Sequence, residues 1–144
     1  MMNLKLYKDY CEHLKEACKA DYLVMAVHEE HLKKKLRGQT GYLLIGVYPS
    51  YNISGYEDNV RDMNTCLLYI LKAISKVEND ENTEIREYAE LQSKIDLVKK
   101  QLIYDADNGL WDIRGLDRES IEIEPEFNIT GGYYGYSLIF TYLC

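Results

Sequence analysis

The sequence contains no apolar run near the roughly 18–20 residues that a membrane-spanning helix requires. Its opening segment, MMNLKLYKDYCEHLKE, breaks into charges at once and so has no apolar stretch of the signal-peptide kind. Both absences predict a cytoplasmic protein. No C-x-x-C pair occurs among Cys11, Cys18, Cys66 and Cys144, which argues against a zinc knuckle or a thioredoxin-type pair. On a helix, Cys11 and Cys18 stand two turns apart, about 10 Å, beyond the ~7 Å reach of a disulfide. They read as small apolar residues of a reduced protein. Basic residues are also in deficit, 17 Lys and Arg against 24 Asp and Glu, for a net charge of −7. Such a balance argues against general affinity for nucleic acid or anionic membranes.

Catalytic patterns are missing too. His28-Glu29-Glu30-His31 resembles a zinc-protease helix, but that motif needs histidines four apart, and here they are three apart. Only His13 remains as a further imidazole, so no metal ligand set is expected. Asp105-Ala106-Asp107-Asn108-Gly109 starts like a calcium loop, yet its twelfth position is Leu116 rather than glutamate. Helix termination accounts for it better. With no G-x-S-x-G, phosphate loop or dinucleotide glycine pattern, the sequence predicts no catalytic, cofactor-binding or metal-binding residues and no enzyme. The one basic cluster, Lys33, Lys34, Lys35 and Arg37, closes a short helix opened by Glu29 and Glu30. The helix dipole and solvation explain that arrangement ahead of phosphate binding.

What the chain has in excess is tyrosine: fourteen, against two phenylalanines and one tryptophan. A large ring with a polar tip suits half-buried sheet faces and contact surfaces. The candidate interaction surface is therefore Tyr48, Tyr51, Tyr56, Tyr133, Tyr134, Tyr136 and Tyr142.

At 144 residues the chain fits a single domain, 1–144. Tyr7, Tyr10, Cys11, Leu14, Ala17 and Cys18 follow helical spacing over residues 4–20. A short apolar link, Tyr22 to Val27, leads to a second helix from Val27 to Leu36, with Gly38 ending it. Residues 42–48 read as a buried strand, and 49–59 as a mobile loop or long hairpin connection. The run from Thr65 to Ile74 fits a strand or a helix by periodicity, and a strand is expected. After a charged turn at 76–83, Tyr88, Leu91, Ile95, Val98 and Leu102 mark a long helix at 84–106, capped by Asn82 or Thr83. Ile121, Ile123, Phe127 and Ile129 alternate with Glu122, Glu124, Glu126 and Asn128, and Pro125 marks an edge strand or bulge. Gly131-Gly132 turns a C-terminal β-hairpin whose return strand puts Tyr134, Tyr136, Leu138, Phe140 and Tyr142 on one face. Leu138 and Phe140 are expected to anchor the long helix. The expected fold is α+β: a mainly antiparallel sheet flanked by an N-terminal helix and a long helix near 84–106.

The stretch YLLIGVYPSYNISGYEDNVRDMNTCLLYILK, then IDLVKKQLIYDADN, then SIEIEPEFNITGGYYGYSLIFTYL resembles small proteins of unassigned function from Bacteroidetes. These look like the tail-terminator or tail-completion class encoded by phages and prophages. The likeness covers roughly residues 40–143 and rests on layout and on Ile123-Glu124-Pro125 followed by Gly135-Tyr136-Ser137-Leu138-Ile139-Phe140. It implies an α+β fold and self-assembly into rings that cap a tail tube, with other virion proteins as partners. It transfers no catalytic residue. The expected function is thus non-catalytic assembly through protein–protein contacts. Two alternatives stand beside it: a cytoplasmic binding or regulatory module without viral role, and an enzyme hidden around His28 and His31.

Overall fold

The computed structural model describes residues 2–55, 60–73, 80–113 and 115–143. Its element order is α1 (Leu4–Cys18), β1 (Tyr22–Ala26), α2 (Glu29–Lys35), β2 (Leu43–Ser54), β3 (Arg61–Ala73), α3 (Glu81–Asp107), β4 (Leu116–Ile129) and β5 (Tyr133–Leu143). The strands form one five-stranded sheet in the order β1-β2-β3-β5-β4. Only β1 and β2 run parallel, as the β1-α2-β2 crossover requires; every other pair is antiparallel. The expected α+β fold is the one observed.

Asn3 starts α1 by accepting the amides of Lys5 and Leu6. The helix then buries Tyr7, Tyr10, Cys11, Leu14 and Cys18 along one side. Lys94, reaching from α3, donates to the carbonyls of Cys18 and Lys19 and so places a cation at the negative end of α1. Asp80, rather than Asn82 or Thr83, caps α3. Its carboxylate accepts both the Asn82 amide and the Thr83 hydroxyl, which leaves those two residues inside the first turn.

Strand alternation divides the core in two. Leu44, Cys66, Leu68, Ile70, Leu138 and Phe140 face α1 and α3, whose buried side contributes Leu91, Ile95, Val98 and Leu102. The opposite face carries Leu43, Ile45, Leu71 and Tyr133, and α2 covers them with Leu32 and Leu36. The short α2 leaves the rest of that face open. Val47, Leu67 and Ile139, aligned across β2, β3 and β5, stay half-buried.

Three expectations need correction. Most of the expected link from Tyr22 to Val27 is an edge strand, Tyr22–Ala26, because its backbone pairs with Leu43–Val47. The turn-rich stretch after Pro49 continues β2 as far as Ser54: a register shift between Val47 and Ser50 absorbs the proline, and the ladder with β3 resumes. Residues 56–59 of that expected loop, and 76–79 of the expected charged turn, lie outside the described residues. Finally, Phe127 does not share the apolar side of β4. A register shift between Glu126 and Ile129, with Asn128 at φ 57°, turns Phe127 outward to 69% exposure. Pro125 does lie on an edge strand, as its missing amide proton demands.

Candidate interaction surfaces and cavities

The seven singled-out tyrosines are distributed between core and surface. Tyr134 and Tyr142 are buried under the helices, and Tyr133 is buried under α2. These three cannot form part of an outward surface, because sheet packing uses both faces of β5 here. The Tyr133 hydroxyl donates to the carbonyls of Leu36 at 2.5 Å and Gln39 at 3.1 Å. The Tyr134 hydroxyl bonds Glu87 at 3.3 Å, and its ring lies 5.2 Å from that of Tyr88. Tyr136 is half-buried and meets Tyr88, Ile85 and Pro125 in a shallow groove. Tyr48 lines a cavity of about 560 Å³ with Met25 and with Leu4, Lys5 and Lys8 of α1. Tyr51 is exposed, whereas Tyr56 lies outside the described residues.

His28 and His31 are used by the backbone. His28 caps α2 by accepting the His31 amide at 3.1 Å, and the Val27 amide donates to His31 Nδ1 at 3.1 Å. No group of three potential metal ligands occurs among the described residues.

A polar cluster not expected from the sequence surrounds Asp105. This carboxylate is fully buried and accepts from Tyr10 (3.0 Å), His13 (3.0 Å) and Gln101 (2.8 Å). Trp111 stacks on His13 with ring centroids 5.2 Å apart. Burial, reinforced by the adjacent carboxylate, holds the Tyr10 phenol well above its ordinary range. A signal did exist in the sequence: Asp105 extends the stripe Leu91, Ile95, Val98, Leu102, where a carboxylate needs internal donors. These bonds tie α1 to the end of α3.

A cavity of about 590 Å³ opens between the end of α2 and the β4–β5 turn. Lys33, Lys34 and Arg37 contribute from the first, and Thr130, Gly131 and Gly132 from the second. The Thr130 amide donates to Glu29 at 3.2 Å, which holds the turn against the helix. Thr130 is 7% exposed, sits at φ 51°, and its hydroxyl has no hydrogen-bond partner among the described residues. A β-branched residue in that conformation is strained, and an unpaired buried hydroxyl adds about 1–3 kcal/mol. The basic cluster and the Gly131-Gly132 turn lie far apart in sequence, and the fold makes them opposite walls of one cavity.

Comparison with protein-family models, curated proteins and solved structures yields no match to this chain.

Proposed function

We propose that this protein is a non-catalytic assembly component that works through protein–protein contacts, first with copies of itself, in the manner of phage or prophage tail-completion proteins. One observation carries the reading: apolar side chains are exposed at both open edges of the sheet. On one side, β1 pairs with β2 only as far as Val47, so β2 continues from Tyr48 to Ser54 with β3 as its sole strand neighbour. That projecting segment displays Tyr51 and Ile53, the latter 71% exposed. On the other side, β4 is an open edge carrying Phe127. Edge strands normally avoid such residues because they template pairing with another chain. Two different adhesive edges on opposite sides favour a head-to-tail contact, the kind that closes rings. The partners are then further copies and other virion-type proteins, with neither nucleic acid nor membrane required.

Sedimentation across a range of concentrations tests this. The parent should associate, and Ile53→Lys or Phe127→Lys alone should abolish self-association. Mixing the two variants should produce dimers, because each retains the edge the other has lost. A parent that stays monomeric at every concentration would instead favour a binding or regulatory module for a different partner.

A further inference from the structure

We propose that the cavity between α2 and the β4–β5 turn binds a small phosphomonoester. The reading stands apart from self-assembly and uses none of the residues that support it.

The first argument is charge. In a chain of net charge −7, Lys33, Lys34 and Arg37 line one cavity, with Glu30 as the only carboxylate among its described lining residues. None of the three cations has an ion-pair or hydrogen-bond partner among the described residues. By contrast, Lys35 donates to the Met25 carbonyl at 2.7 Å, and Lys72 pairs with Glu87. The helix dipole explains why cations end α2, but not why a turn nearly a hundred residues later forms the facing wall.

The second argument is Thr130. Its hydroxyl is buried behind that wall with no hydrogen-bond partner among the described residues, on a residue only 7% exposed. Rotation of the side chain on ligand binding would turn the hydroxyl toward a phosphate oxygen, which accepts from it, while Arg37 supplies a planar fork and the lysines supply point charges. The glycines of the turn let main chain form the wall: a Cβ on Gly132 would meet nothing within 4 Å, and one on Gly131 only the Lys33 side chain at 3.7 Å.

The third argument selects among anions. The cavity volume lies in the range of small-molecule sites and exceeds what a bare phosphate fills. Leu36 and Ala73 give it an apolar portion, and Glu30 suits a ligand whose remainder carries a hydroxyl. A hydroxyl-bearing phosphomonoester meets all three demands.

The full chain should be titrated with glycerol 3-phosphate, inorganic phosphate, glycerol and chloride at constant ionic strength, following backbone amide resonances. Saturable shifts at Gly38, Gly131 and Gly132 are expected, with glycerol 3-phosphate tighter than phosphate and glycerol silent. Arg37→Gln should weaken binding about tenfold or more, the loss of a charge-assisted pair. Thr130→Gly relieves the strained backbone, so it should fold at least as stably as the parent and yet bind more weakly; Thr130→Ser should retain binding. Absence of saturation, shifts equal to those caused by chloride, or undiminished affinity in Thr130→Gly would each overturn the proposal.

Discussion

The hydroxyl of Tyr133 donates to the Leu36 carbonyl at 2.5 Å, across 97 residues of sequence. It also reaches the Gln39 carbonyl, so one side chain of β5 satisfies two acceptors at the end of α2. Tyr133→Phe leaves both carbonyls without that donor in a largely buried position. We expect a loss of about 1–2 kcal/mol in urea unfolding with an unchanged m-value. An unaltered midpoint would show that the bond adds nothing to stability.

Phe140 is 1% exposed and packs in the core beneath the helices. Phe140→Ala should cost about 3–5 kcal/mol through lost burial and the cavity left behind. Gly135→Ala should be severe for a different reason. Its Cβ would fall 1.9 Å from the Ile70 carbonyl oxygen, in the middle of the β3–β5 pairing. Little folded protein is expected from this variant, as judged by near-ultraviolet circular dichroism.

Asp105→Ala removes the acceptor shared by Tyr10, His13 and Gln101. Stranding these donors at a buried position should cost about 3 kcal/mol. Trp111, the single tryptophan, stacks on His13 and should report the loosening as a change in fluorescence. Retention of the parent spectrum and stability would mean that water replaces the carboxylate without loss.

Burial pushes the Cys11 and Cys66 thiols up to about 12 from an ordinary value of 9.0. Between these values the unfolded chain releases protons that the folded chain keeps. Stability is therefore full below pH 9 and falls as pH rises toward 12, with a limiting slope of about 1.4 kcal/mol per pH unit for each thiol. Urea midpoints measured at pH 8, 9.5 and 10.5 should decline in that order. Cys66→Ala should flatten the decline, although it lowers stability at neutral pH.

Most of the architecture was legible because it rests on periodic patterns. The stripe from Tyr7 to Cys18, the stripe from Leu91 to Leu102, and the alternation of Tyr134, Leu138, Phe140 and Tyr142 each declare a face that must be buried. The apolar run Cys66 to Leu71 fitted two periods, and only the pairing of β3 on both sides decides it. Local signals misled where long-range pairing overrides them. Pro49 suggested a stop, but the β3 ladder carries β2 past it. The tyrosine surplus suggested one outward surface, but side-chain count says nothing of which face a strand turns inward; Tyr133, Tyr134 and Tyr142 are core. The Asp105 cluster and the cavity at Thr130 each join segments far apart in sequence, and no spacing rule brings such residues together.

The strand order β1-β2-β3-β5-β4 also carries a kinetic consequence. β2–β3 and β4–β5 are neighbours in sequence and can zip locally, whereas β3 meets β5 only after α3 and β4 have been threaded between them. The central seam of the sheet is thus its least local pairing, and loop-closure entropy makes such pairings slow. Two hairpins should be present before the rate-limiting step, with their docking and the seating of α3 forming the barrier. Mutations at the seam, such as Leu68 or Leu138, should then slow folding, while those at the hairpin ends should chiefly hasten unfolding.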